Sequence, residues 1–344
     1  MARDDEWFIR AALAEAAKGV GHTSPNPAVG AVITAGDEII ARGHHHRAGS
    51  AHAEIECLAD AGGSVPERST MYVTLEPCST TGRTSPCTEA IISSGVKTVV
   101  IGAVDPNPRH AGRGIELLKA AGLNVRANVL ADECSALNKP FNKWIQTGRP
   151  YVIAKCGMSL DGRLAPPAGE ERWITSVTSR RHANRLRAQV DAILVGAETV
   201  RADNPRLTVR AVRAARQPLR VVLSNSGRLP RDAHLFTDRF ANRTLVFRNQ
   251  TVDGVLVELG RKEVTSVLIE GGGNVLSQAL DARVIDKVQI YLGPMFVGGR
   301  VVAFGGRGAG STLEALRLRH ARYERIGSDV FVTGEATYDA TKAE

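Results

Sequence analysis

AHAEIECLADAGG, residues 51–63, and MYVTLEPCSTTGRTSPCTEAIISSG, residues 71–95, decide how the first half of the chain is read. In the first stretch the apolar periodicity and terminal glycines predict a helix that ends near Gly62. The second reads as a strand, TMYVTLEPC, followed by a helix, PCTEAIISSG. His52 and Glu54 therefore stand two residues apart at a helix start, while Pro77-Cys78 and Cys87 bring two sulfurs to the start of the next helix. One histidine and two thiolates fill three of zinc's four positions and leave one open for water.

That arrangement is expected to be catalytic. Zinc lowers the pKa of bound water from about 15.7 towards about 7. Glu54 is expected to stay off the metal and to carry the proton from water to a ring nitrogen and the departing ammonia, as in zinc nucleobase deaminases. The partial positive charge at a helix start favours thiolate and hydroxide. A purely structural zinc site would need a fourth closing ligand, for which Cys57 and the His44-His45-His46 run are the candidates. The loop between the sulfurs, Ser79 to Pro86, carries hydroxyls and one cation, which suits a polar, phosphorylated substrate.

Strand and helix signals alternate on both sides of this region. Residues 6–20 read as a helix broken by SPNPAVG, and AVGAVIT and EIIARGHHH as extended runs. VKTVVIGAVD, GIELLKAAG and NVRANVL continue as strand, helix and strand, so a mainly parallel α/β layer is expected. LNKPFNKWIQTGRPY is the candidate domain junction, which divides the chain into residues 1–147 and 148–344. Beyond it, YVIAKCGMSLDG, DAILVGA, LRVVLS, RTLVFR, GVLVEL, TSVLIEGG, KVQIYLG and SDVFVTGEA read as strand-like. SRRHANRLRAQ and GNVLSQALDA read as helices. The turn Glu270-Gly271-Gly272-Gly273-Asn274 permits close backbone approach before a helix start, without being a GxGxxG fingerprint.

At 344 residues the chain has room for two cores. Its 43% hydrophobic and 23% charged residues are those of a soluble globular protein, with no membrane-length apolar run and no secretory signal at the start, so a cytoplasmic address is expected. Five cysteines without a regular framework favour metal ligation or reduced thiols over disulfides. The net charge of +8 raises the possibility of nucleic acid, but the arginines are scattered through residues 180–231 without interleaved aromatics. Anionic small ligands such as phosphates are the expected partners.

SPNPAVG, HHRAGSAHAE, VTLEPCSTTGRTSPC and DPNPRHAGRG in the first half, with KCGMSLDGR, WITS, LRAQVDAILVGAETVRADNPRLTVR and IEGGG in the second, make the chain resemble the bifunctional deaminase–reductase family of riboflavin biosynthesis. The resemblance spans nearly the whole chain. It implies an α/β protein with an N-terminal cytidine-deaminase-like three-layer domain and a C-terminal dihydrofolate-reductase-like domain, using one Zn2+ per chain and NADPH. In that reading His52, Cys78 and Cys87 are the zinc ligands and Glu54 the proton shuttle, while Asn26, His45 and Arg83 hold the pyrimidine substrate. Gly157, Trp173, Thr199, Asp203, Asn225, Gly271, Gly272 and Gly273 would contact NADPH. Lys155, Arg187, Leu207, Arg210 and Glu270 would surround the substrate, with Arg187 and Arg210 suited to its phosphate. A phosphorylated pyrimidine small molecule, a homo-oligomer, and neither nucleic acid nor membrane complete the expectation.

Three departures from the family pattern stand out: Thr80 where histidine is common, Glu171 where serine is usual, and Ser224-Asn225 where Asp-Ser is frequent. A threonine at 80 can hydrogen-bond but cannot carry charge. The rival expectation is a nucleoside or tRNA deaminase with an appended nucleic-acid-binding module.

Overall fold

The alternating strand and helix signals resolve into two separate sheets, one in each of the units Met1–Gly148 and Arg149–Glu344. The computed structural model describes residues 3–80, 86–164, 173–210, 212, 214 and 216–339.

The first unit runs α1 (Asp5–Ala17), β1 (Gly30–Ala35), β2 (Glu38–His44), α2 (Ala53–Asp60), β3 (Thr70–Leu75), α3 (Cys87–Ser93), β4 (Thr98–Ala103), α4 (Arg113–Ala120), β5 (Asn124–Arg126), α5 (Ala131–Leu137) and α6 (Lys139–Thr147). Helix α1 begins where the Asp4 side chain accepts from Trp7 N, with Asp5 and Glu6 in the first turn opposing the helix dipole. The sheet order is β2-β1-β3-β4-β5. Strands β3, β4 and β5 are parallel, but β1 is antiparallel to both β2 and β3. The parallel layer expected from the sequence is therefore only half of the sheet. The reason is local: Ala35 pairs with Glu38, so only Gly36-Asp37 joins β1 to β2, and Gly36 takes φ +60°. A two-residue link makes a hairpin and cannot make a parallel crossover.

Both faces of this sheet are covered. Ile33, Met71, Val73 and Ile101 pack against Cys57 of α2, Ile91 of α3 and Leu118 of α4. On the other side Val32, Tyr72 and Val100 meet Phe8 and Ile9 of α1 and Cys134 of α5. The result is a three-layer unit. The stretch 137–151, the candidate domain junction, holds helix α6 and then the boundary between the two units: Pro140 sits in the first turn, where its missing N–H is harmless, and Gly148 closes the helix at φ +69°.

The second unit runs β6 (Tyr151–Ser159), α7 (Val177–Arg187), β7 (Ala192–Gly196), α8 (Ala197–Asp203), β8 (Leu219–Ser224), α9 (His234–Thr237), β9 (Thr244–Arg248), α10 (Val252–Arg261), β10 (Ser266–Glu270), α11 (Gly273–Asp281), β11 (Lys287–Gly293), β12 (Arg317–Ile326) and β13 (Asp329–Thr337). The sheet order is β12-β13-β11-β6-β10-β7-β8-β9, with β11 through β9 parallel and β13 and β12 added antiparallel. GVLVEL, expected to be a strand, lies inside helix α10. The Thr251 hydroxyl caps that helix by accepting from Gly254 N, and Val252, Val255, Leu256 and Leu259 fall at helical spacing against the core. Among the described residues, no helix is long and apolar enough to cross a membrane.

Candidate active sites

Three different element ends deliver the metal-ligand candidates: His52 is the residue before α2, Cys78 follows β3, and Cys87 opens α3. One ligand atom from each lies within 4.8 Å of the others. His52 Nδ1 is 3.2 Å from Cys87 Sγ and 3.6 Å from Cys78 Sγ, and the Cys87 backbone N–H donates to Cys78 Sγ at 3.3 Å. Bonding to the Cys87 thiol, followed by bonds from His52 and the Cys87 N–H, pulls the Cys78 thiol down to about 4 against the effect of burial. The thiolate is the form that binds metal.

This donor set fits zinc with one position open. Among the described residues no fourth His, Cys, Asp or Glu joins the cluster. The two candidate closers are occupied elsewhere. Cys57 is fully buried in the core with its thiol pushed up by burial, and His44 and His46 face Glu15 and Glu56 at 3.7 and 3.8 Å.

Glu54 sits in the first turn of α2, only 3% exposed. Burial pushes its carboxyl up to about 7, so it can both accept and release a proton near neutrality. Asn26 and His45 are brought together next to His52. The His45 Nδ1–H donates to the Ala51 carbonyl at 2.9 Å, because a carbonyl can only accept. That leaves Nε2 as the acceptor for the Asn26 Nδ2 amide at 3.1 Å. Burial lowers the His45 pKa, which keeps the ring neutral in this role. The His45 and His52 rings meet edge to face at 5.3 Å. Arg83 lies outside the described residues, as does Glu171.

Two groups here were not singled out from the sequence. Glu76, two residues before Cys78 and 5% exposed, accepts from the backbone N–H of Asp105, Gly112, Gly114 and Ile115 at 3.1, 2.9, 2.8 and 3.3 Å. It ties the DPNPRHAGRG segment to the strand that leads to the metal site. Asp105 is the second: burial raises its pKa, and Cys78 is close enough to add to the shift. The glycines at 112 and 114 were the available signal, since a Cβ on Gly114 would lie 2.2 Å from the Pro77 carbonyl.

In the second unit the cofactor candidates gather at the carboxyl ends of adjacent parallel strands. Gly157 lies near the end of β6, Gly271–Gly273 follow β10, Thr199 and Asp203 lie on α8 after β7, and Asn225 follows β8. Such an edge is where open α/β sheets bind ligands. Gly271 and Gly272 take φ +87° and +74°, and a Cβ on Gly273 would lie 1.9 Å from the Val302 carbonyl. Only glycine fits that turn. Trp173 is 58% exposed, with the Arg180 guanidinium 4.4 Å from its ring centre.

Lys155 and Glu270 are register partners on β6 and β10, so they point to the same face. Arg187 of α7 reaches that face with Nε and Nη2 on the two Glu270 oxygens at 2.6 and 2.7 Å, and with Nη1 on the Thr208 carbonyl at 3.0 Å. Its fork is thus spent on protein groups. Of the two arginines expected at the phosphate, Arg210 is the exposed one. The Leu207 side chain, expected beside the substrate, is 2% exposed and packed in the core.

Burial opposes ionisation of Glu270, but the Arg187 guanidinium outweighs it and, with Lys155 and Arg210, brings the carboxyl down to about 2. A depressed carboxyl contributes stability above its unfolded value, and that contribution disappears as pH falls through the folded value. The Glu270–Arg187 pair should therefore stabilise fully above about pH 4.5 and lose its contribution on descent to about 2. Acid unfolding of Glu270→Gln, followed by tryptophan fluorescence, should show a shallower pH dependence across that window than the parent.

A zinc-site deaminase unit followed by a nucleotide-cofactor reductase unit is the class these two sites define. A model of the cytidine and deoxycytidylate deaminase zinc-binding region matches residues 2–103, and one of the RibD C-terminal domain matches residues 150–332. The riboflavin biosynthesis protein RibD of Actinobacillus pleuropneumoniae is 38% identical, covering 94% of this chain and 93% of its own. That of Aquifex aeolicus is 36% identical, covering 95% and 97%. Acinetobacter baumannii RibD superposes with a TM-score of 0.89 at 34% identity, covering 97% of this chain and 99% of its own. A Thermotoga maritima diaminohydroxyphosphoribosylaminopyrimidine deaminase/5-amino-6-(5-phosphoribosylamino)uracil reductase superposes at 0.87 with the same identity and coverage. The chain belongs to the RibD family, the bifunctional deaminase–reductases of riboflavin biosynthesis.

Proposed function

We propose that the first unit hydrolyses the 2-amino group of 2,5-diamino-6-(5-phosphoribosylamino)pyrimidin-4(3H)-one to give the aminouracil and ammonia, and that the second reduces the ribosyl group of that product to ribityl. The observation that carries this reading is the convergence of His52, Cys78 and Cys87 beside a buried Glu54. When bound there, zinc supplies a Lewis acid that makes water a nucleophile near neutral pH. Glu54 takes one proton from the attacking water and hands it to the ring nitrogen, then takes the proton of the new hydroxyl and gives it to the amine, so that the carbonyl forms as ammonia leaves. Asn26, oriented by His45, holds the ring, and burial of Glu54 keeps bulk water from competing for its proton.

When bound in the second unit, NADPH supplies the hydride for the ribose C1′. Lys155, the register partner of Glu270, or Asp203 supplies the proton to the ring oxygen as it becomes the 4′-hydroxyl. Arg210 is assigned to the 5-phosphate. Arg210→Ala should raise the reductase KM roughly tenfold or more for the phosphorylated substrate, because a charge-assisted hydrogen bond is lost, and should barely change it for the dephosphorylated form. Equal rises for both would make Arg210 structural.

The rival, a tRNA or nucleoside deaminase with a nucleic-acid module, requires that the second unit ignore NADPH. Fluorescence quenching of the full chain on NADPH titration supports the reductase reading, and no binding by the folded protein removes it. A homo-oligomer in the cytoplasm belongs to the same proposal, and light scattering of the purified chain tests its assembly. Membership of the RibD family supports its deaminase and reductase parts.

A further inference from the structure

Leu207 takes φ +49°, a left-handed backbone that a leucine rarely adopts and that persists only where its surroundings enforce it. The carbonyls on either side of it are both gripped by arginines, the buried Arg220 and the half-buried Arg187. Arg220 Nη1 donates to the Arg206 carbonyl at 3.3 Å, and Arg187 Nη1 donates to the Thr208 carbonyl at 3.0 Å. Each arginine is in turn fixed by a carboxylate through two bonds: Arg187 by Glu270, and Arg220 by Asp238 at 2.7 and 2.9 Å. The remaining N–H groups of Arg220 go to the Leu235 carbonyl at 2.9 Å and Thr244 Oγ1 at 3.0 Å. All five of its donors are used, and its side chain is 1% exposed.

A buried ion pair of this kind seldom adds stability over an apolar replacement, so what it specifies is conformation. Here the specified conformation is the segment that ends in Arg210. The Leu207 side chain is sunk in the core beside Leu235, the Arg210 N–H is held by Asn184 Oδ1 at 2.8 Å, and the Arg210 side chain is exposed.

We propose that Arg220, anchored by Asp238, is a positioning residue of the reductase site: with Arg187 it holds the left-handed turn at Leu207 and so aims Arg210 at the substrate phosphate. This rests on the assignment of Arg210 to that phosphate. Arg220 touches no ligand itself. It acts by fixing where the next cation points.

The test is a double-mutant cycle on the full-length, zinc-loaded enzyme with the ribosylaminouracil phosphate and its dephosphorylated form. Arg220→Lys keeps a charge beside Asp238 but cannot fork to the Arg206 carbonyl as well. It should raise the KM for the phosphorylated substrate roughly tenfold, change kcat by less than about threefold, and leave the KM for the dephosphorylated form and the NADPH Kd unchanged. Added to Arg210→Ala, it should raise KM by no more than about twofold further, since nothing is left to aim. A purely structural arginine would give additive losses on both substrates. If Arg220→Lys does not fold, Asp238→Asn loosens the same anchor and should give the same phosphate-selective, non-additive pattern. A phosphate-selective Arg210→Ala combined with additive or silent anchor variants overturns the positioning role alone. An Arg210→Ala without phosphate selectivity overturns the assignment beneath it and the proposal together.

Discussion

Replacing Glu54 by glutamine should lower ammonia release by on the order of a thousandfold while zinc stays bound and NADPH oxidation is spared. Glutamine keeps the size of the side chain and its place in the first turn of α2, but it cannot accept the proton of the attacking water. Nor can it pass one proton to the ring nitrogen and the second, from the new hydroxyl, to the leaving amine, so both halves of the hydrolysis stall. The metal should remain, because the cluster is formed by His52, Cys78 and Cys87 without the carboxylate. Given the already deaminated ribosylaminouracil phosphate, the variant should oxidise NADPH at close to the parent rate, because Lys155, Glu270 and the Gly271–Gly273 turn belong to the other sheet. Ammonia release, zinc content and NADPH oxidation measured on one preparation separate the outcomes. Retained deamination would remove Glu54 as the proton carrier, and loss of both activities with the fold intact would contradict two independent sites.

Cys78→Ala should abolish deamination altogether by emptying the metal site. Only His52 and Cys87 of the cluster remain, and the candidate closers do not replace the missing thiolate: Cys57 is fully buried in the core, and His44 and His46 are turned towards Glu15 and Glu56. Zinc per chain should fall from about one towards zero, with deamination at background and the reductase rate unaffected. Full metal occupancy in this variant would remove Cys78 from the ligand set.

The metal-ligand cluster was legible in the sequence because its parts are short-range signals. A histidine and a glutamate two apart at one helix start, and two cysteines at the next, need only one β-strand and the right crossover to meet. The glycine turn at 271–273 was legible for a similar reason, since its positive φ angles and close approach to Val302 demand residues without a Cβ. What sequence could not show was how the charges pair. Arg187 and Arg210 look alike as letters, yet the fold buries one against Glu270 and leaves the other exposed. The clamp on Leu207 was equally hidden, because Arg220 and Asp238 lie 18 residues apart and meet only in the folded unit.

Misread elements have equally specific causes. GVLVEL is rich in residues that favour strands, and its helical spacing emerges only when Val252 and the Thr251 cap are counted with it. Strand β12, RLRHARYERI, went unread because it is the edge strand of its sheet and is largely exposed, so no alternation of apolar residues marks it. The proline and glycine that mark 137–151 as a junction stand at the start and the cap of helix α6, and the boundary between the two units follows directly after Gly148. Glu76 was missed because its four backbone donors lie 29 to 39 residues further along the chain.

One chain is expected to deaminate a phosphorylated diaminopyrimidine and then to reduce its sugar. Anaerobic incubation of the zinc-loaded protein with that diaminopyrimidine phosphate and NADPH, followed by mass identification of the product, tests it most directly. The expected product is a ribityl-aminouracil phosphate, with one ammonia released and one NADPH oxidised for each molecule formed. Recovery of unreacted substrate from protein that carries zinc and binds NADPH would contradict it.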